Sequence, residues 1–370
     1  MNARRKTSRG LAAVLFSASL SLVCGTAVGG ENRKPLDALE QPARLSEKAG
    51  SSLLTAITVA GQRLVAVGER GVILLSDDHG AHWRQARSVP SSVALTAVRF
   101  VSAESGWAVG HGGVVLHSRD GGESWTRQLD GRQAAAIEQA AADAEGSTET
   151  PTRRQRDAAR MVAEGPDKPF LDVHFHDAQR GLVVGAYGLA FATADGGQTW
   201  TSLLGRIDNP RARHLYHIAV DGPNLLISGE QGTLLRSTDG GQSFAALRID
   251  YPGTLFGALL ANDRSMLVFG LRGNAFRSSD QGTSWQKVDF GLPVTLTAGT
   301  RLRDGRLVVV DETGRVMLSR NAGAAFTALS TAKINAATGV VETADGGLLV
   351  STQRGPVRLP AEVLGSEQKK

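Results

Sequence analysis

Apolar residues in this chain come in short runs that alternate with glycine-rich turns, and the runs are too brief for helices. Between Leu95 and Gln128, the runs Leu95–Val101, Gly106–Gly110, Val114–Ser118 and Trp125–Gln128 each predict a strand, with hairpin turns in the gaps. That four-run unit recurs along the chain. Its third run ends in a phrase of the form Ser/Thr-x-Asp-x-Gly-x-x-Trp/Phe, found at Ser76–Trp83, Ser118–Trp125, Thr193–Trp200, Ser237–Phe244 and Ser278–Trp285, with a worn copy at Ser319–Phe326. Its second run ends in a Gly-x-x-Gly turn, at Gly68–Gly71, Gly110–Gly113, Gly185–Gly188, Gly229–Gly232 and Gly270–Gly273. Looser versions stand at Asp311–Gly314 and Thr352–Gly355.

The phrases start 41 to 44 residues apart, except for one interval of 75. Four short antiparallel strands per repeat of about 42 residues is the period of a β-propeller blade, and seven units predict seven blades. The fold expected is all-β: a seven-bladed β-propeller of four-stranded antiparallel blades over residues 51–360. The last unit stops after a third strand near Val357–Leu359. A strand from about residues 36–47, within an N-terminal segment 30–50, is therefore expected to close the ring. The long interval holds a helical insertion between blades two and three, residues 130–168. Its two helix-forming runs, Ala134–Glu145 and Thr152–Glu164, are joined by the connector Gly146–Pro151. Residues 361–370 read as a disordered tail.

The repeated phrase has a structural explanation. Asp78, Asp120, Asp195, Asp239 and Asp280 can each accept hydrogen bonds from the amides of their own turn, and the following glycine supplies backbone freedom. Trp83, Trp125, Trp200, Phe244 and Trp285 open the fourth strand and offer large apolar faces to pack between blades. Each phrase carries one carboxylate far from the others around a ring, so no metal site and no cofactor is expected there.

Composition alters this picture mainly at the N-terminus. The formal charge is +5, but Arg4, Arg5, Lys6 and Arg9 precede an apolar stretch from Leu11 to Val28. Residues 1–29 thus read as a secretory signal peptide, with small residues suited to cleavage at Ala27, Gly29 or Gly30. The remainder is nearly balanced in charge, which argues against a nucleic-acid partner. Cys24 is the single cysteine and sits inside that signal. Ser21-Leu22-Val23 lacks the small residue that precedes a lipidated cysteine, so the reading is soluble export to the periplasm. A chain without other cysteines suits that oxidising compartment.

The phrases resemble the Asp-box repeats of bacterial neuraminidases, the BNR repeat. The fuller unit resembles the photosystem II stability/assembly factor family of lumenal seven-bladed propellers and their exported bacterial relatives, over about residues 50–360. This resemblance implies a non-enzymatic assembly or stability factor that docks on a membrane-protein complex or transporter component. Asp-boxes also occur in hydrolases, so fold alone does not assign the activity.

In a propeller of this strand order the Gly-x-x-Gly turns lie opposite the Asp phrases, on the face that carries the inter-blade connections. Arg70, His111, Tyr187, Glu230, Arg272, Glu312 and Arg354 on those turns are candidate partner-binding residues, together with Glu69 and Gln231. Arg153, Arg154, Arg156 and Arg160 of the insertion, with Arg211 and Arg213 on the next connection, form a candidate basic patch for carboxylates or lipid phosphates. The competing reading is a carbohydrate-active hydrolase using Tyr187 beside Glu230, or Glu230 with Glu312. No catalytic set is complete enough to assign. His174 and His176 share a strand face and with Asp172 form an Asp-x-His-x-His fragment, for which no third or fourth ligand from another blade is identifiable. His214 and His217 are spaced to point to opposite faces.

Overall fold

In a computed structural model, residues 37–146, 150–329 and 334–365 are described, and the segment expected to be a signal peptide lies outside them. From Asp37 onward the chain is one compact unit. It contains seven antiparallel sheets in sequence order, six of four strands and a last one of three. The predicted second unit is typical, with strands at Leu95–Phe100, Gly106–Gly110, Val115–Ser118 and Thr126–Leu129. The first strand of every blade carries a register shift near its start, so the bulge is part of the repeat.

The repeated phrase acts as a hairpin lock. In blade two, Ser118 Oγ donates to Asp120 Oδ1 at 2.9 Å and accepts from Gly122 N at 2.8 Å, while Asp120 Oδ1 accepts from Ser124 N at 2.9 Å. The same bonds recur in blade four around Asp239 and in blade five around Asp280. In the worn copy Asn321 keeps the geometry through its side-chain oxygen, which accepts from Ala325 N at 3.0 Å. The closing aromatics bind blade to preceding blade. Trp125 is buried among Val65, Leu75 and Phe100, and Trp200 among Trp107, Val109 and Phe175.

Each Gly-x-x-Gly turn tucks under the connection to the next blade. At Gly71 (φ +71°) an added Cβ would stand 2.2 Å from the Ser91 carbonyl oxygen, and at Gly232 (φ +72°) 2.1 Å from that of Tyr251. Close approach and a left-handed backbone together require glycine. The residue before it is also left-handed and carries a side chain in four blades, at Arg70, Tyr187, Gln231 and Arg272.

The expected closing strand is not found among the described residues. Blade seven (Ala337–Glu342, Leu348–Thr352, Gly355–Leu359) keeps three strands. Residues 37–48 instead lie against blades one and two. Leu39 is buried there, Ala43 N donates to Val89 O, and Glu40 pairs with Arg127 and Arg132. This segment's one large apolar anchor and its acids fit that site, and it has no alternating pattern to extend a sheet. Closure comes from face packing, with Leu349 of blade seven among Leu54, Leu64 and Leu74 of blade one. Thr338 Oγ1 also donates to Leu54 O at 2.7 Å.

The insertion forms two helices, α1 (Gly131–Asp143) and α2 (Arg153–Glu164), each opened by a capping box at Asp130 and Thr152. Ala134, Ala135 and Met161 pack into the core between blades two and three. At the other end, the expected tail is ordered to Gly365. Ala361–Gly365 is a short 3₁₀ turn with Leu364 buried, and the Leu364 carbonyl accepts from Arg306 and Arg320. Residues 366–370 lie outside the described part.

Candidate functional site

The turn face is organised by the first strand of each blade. The second residue of that strand is threonine in blades one, two, six and seven. Thr55, Thr96, Thr297 and Thr338 each donate a hydroxyl to the backbone carbonyl of the next blade, at 2.6, 2.7, 2.8 and 2.7 Å. Blades three, four and five put Leu171, Tyr216 and Phe256 at that position. One arc of the channel mouth is therefore apolar and aromatic, while the rest is stitched by threonines. Tyr216 and Phe256 meet edge to face at 5.2 Å.

Tyr187 extends this arc outward. Its left-handed turn leaves the ring 55% exposed, beside His214 at 4.9 Å and beneath Lys168 Nζ at 5.5 Å. Beyond it lies a cleft of about 650 Å³ between α2 and the connection into blade four. Met161, Leu189, Leu204 and Ile207 give it an apolar lining, and Arg153, Arg160 and Lys168 contribute charge. Cleft and arc form a continuous track across blades three to five. The aromatic members Tyr216 and Phe256 escaped the sequence reading. Their signal was present as the break in a threonine recurring at one position of the repeat.

The predicted partner-binding residues divide. Arg70, His111, Tyr187, Arg272, Glu312 and Arg354 are exposed on their turns, and Glu230 is half-buried. Glu69 and Glu312 face back to the fold, accepting from Leu53 N at 3.3 Å and Thr295 N at 2.8 Å. Glu312 and Glu230 sit on blades six and four, a full blade apart. Burial, and then the charge of Glu230, push the Tyr216 hydroxyl pKa up, so it stays protonated and able to donate.

The arginines of the insertion do not gather into one open patch. Arg154 turns inward, its Nε 2.7 Å from Glu138 Oε1, and also pairs with Glu145. Glu138 is 2% exposed and also accepts from Ser202, so this cluster fastens α1 to α2 and both to blade three. Arg153 and Arg160 are exposed but matched by Asp157 and Glu164. Arg156 donates to the Pro151 carbonyl. Arg213 donates to Gln231 O at 3.0 Å, tying the connection to the turn below, and Arg211 is exposed beside it.

The histidines are split as their spacing predicts. His214 meets Tyr187, whereas His217 Nδ1 lies 2.9 Å from Asp172 Oδ2 across the blade three–four boundary. His174 and His176 contact each other edge to face at 4.8 Å. Among the described residues no group of three or more His, Cys, Asp or Glu side chains is placed to hold a metal ion. No described helix is long and apolar enough to cross a membrane.

Comparison with known proteins adds a family. The model of the family described as photosynthesis system II assembly factor YCF48 matches residues 44–150 and 152–328. The photosystem II assembly lipoprotein Ycf48 of Synechococcus sp. strain CC9902 is 33% identical over 104 residues, which span 28% of this chain and 31% of that protein. Among solved structures, YCF48 from Cyanidioschyzon merolae superposes with a TM-score of 0.60 at 14% identity, covering 87% of this chain and 99% of that one. A YCF48 bound to a D1 peptide superposes with a TM-score of 0.58 at 12% identity, covering 86% and 96%.

Proposed function

The chain belongs to the photosynthesis system II assembly factor YCF48 family, and on that premise we propose that it is an exported binding protein for a segment of a membrane protein. The binding site is the track on the turn face, from the cleft under α2 through Tyr187 and His214 to Tyr216 and Phe256. The observation that carries this reading is the aromatic arc: three adjacent blades replace a bridging threonine with large apolar side chains at the channel mouth. Ring faces bordered by Lys168 and Glu230 suit an extended polypeptide, which offers side chains to the rings and backbone groups to the rim. The solved relative that holds a D1 peptide supports a peptide as the ligand class.

The protein acts by binding rather than by turnover. Glu312 is engaged with the Thr295 amide, and Glu230 has no second carboxylate on its own blade's turn to complete a glycosidase pair. The experiment compares the wild type with Tyr187→Ala and Phe256→Ala in affinity purification from the native envelope. A membrane protein recovered stoichiometrically with the wild type and lost with both variants supports the reading. Glycoside turnover that disappears in Glu230→Gln, with no membrane protein recovered, overturns it in favour of the hydrolase.

A further inference from the structure

Inside the channel, the residue that follows the bulge of each first strand is alanine or glycine in five blades: Ala56, Ala97, Gly257, Ala298 and Gly339. In blades three and four it is Asp172 and His217. The small residues leave a cavity of about 250 Å³, and the polar pair stands on one side of it. Arg99 of blade two lines the same cavity.

The acid of this group is already committed. Asp172 Oδ1 accepts from Val173 N at 2.8 Å, and Oδ2 accepts from Ile218 N at 2.8 Å and meets His217 Nδ1 at 2.9 Å. The donors are not. Arg99 makes no hydrogen bond or ion pair among the described residues, though it is half-buried. His174, two residues beyond Asp172, buries its Nε2 without a partner but is not among the residues that line the cavity. His217 has its ring fixed through Nδ1, which leaves its Nε2 edge to the cavity it lines. Farther along the channel, Asp221 and Arg301 pair with each other at 3.4 Å and leave this group's balance unchanged. The Arg99 guanidinium acts on Asp172 through its charge alone, so its hydrogen-bond donors stay open to an acceptor that enters the cavity.

We propose that the channel binds a small oxyanion, held by the Arg99 guanidinium and by the Nε2–H that His217 presents in its imidazolium form. Guanidinium grips two oxygens of one anion at once, and the alanine and glycine wall leaves room for nothing much larger. A free inorganic phosphate and the carboxylate of a chain terminus share this chemistry.

Histidine Cε1–Hε1 signals of the purified full chain report on the site directly. Sodium phosphate and sodium acetate are titrated separately at constant ionic strength. The expected result is saturable movement of the His217 signal while the exposed His82 stays still. Arg99→Gln weakens the binding by about tenfold or more, and Arg99→Lys, which keeps the charge and the fold, weakens it less. A response to phosphate alone points to an inorganic anion, and an equal response to acetate points to a carboxylate. Absence of saturable movement with both anions overturns the proposal, as does equal affinity in wild type and Arg99→Gln with the folded His82 signal intact.

Discussion

Asp195 shows how the repeated carboxylate works. The hydroxyl and then the amide of Thr199 hold its pKa down to about 2, and hydroxyl partners at Ser284 and Thr343 do the same for Asp280 and Asp345. An unfolded aspartate titrates near about 3.9, so the unfolded chain binds more protons as the pH falls. The stability these groups contribute is complete above about pH 4 and is lost as pH drops through about 2. Denaturation midpoints measured between pH 5 and pH 2 are expected to fall over that window, and Asp195→Asn should flatten the fall. Asn321 already shows that an amide oxygen can hold the turn. In blade two, Asp120→Ala leaves the Ser124 amide without its acceptor and is expected to cost about 1–2 kcal/mol, read from urea melts. These roles were legible in the sequence because the phrase repeats. The Arg99, Asp172 and His217 grouping was not, since it joins three blades and only the closed ring brings those strands together.

Among the elements, the helical hairpin depends on one buried ion pair. Arg154 was read from the sequence as part of a basic patch, because a helix rich in arginine is ordinarily solvated. What reassigns it is Glu138, sixteen residues earlier on α1, whose burial no local pattern announces. Removing one partner of a buried pair costs roughly 3 kcal/mol or more. Arg154→Ala is therefore expected to loosen α1 and α2 from blade three. Hydrogen exchange should rise sharply across residues 131–164 and remain unchanged in blades five and six. Uniform protection of the hairpin in this variant would contradict that role. The helices themselves are legible in the sequence, with boundaries close to those found, because helix propensity and the connector between them are local signals.

For the whole molecule, the number of blades followed from the repeat, but the manner of closure did not. A three-strand last unit suggested a borrowed strand, yet the N-terminal segment lies over blades one and two and the ring closes through Leu349 and Thr338. A chain starting at Ala49 is accordingly expected to keep its propeller, with near-native circular dichroism and a lowered melting temperature. Collapse of the fold on that truncation would show that the segment closes the ring after all. The ring's asymmetry carries the functional claim, since among the described residues blades three to five place Leu171, Tyr216 and Phe256 at the strand position that is threonine in the other four. The most direct measurement places a photo-activatable amino acid at Tyr187 and, in a second variant, at Gln242 on the opposite face, each in the native envelope. The expected result is a crosslink from position 187 to a membrane protein identified by mass spectrometry, and none to that protein from position 242. Equal crosslinking from both positions, or crosslinking from position 242 alone, would contradict it.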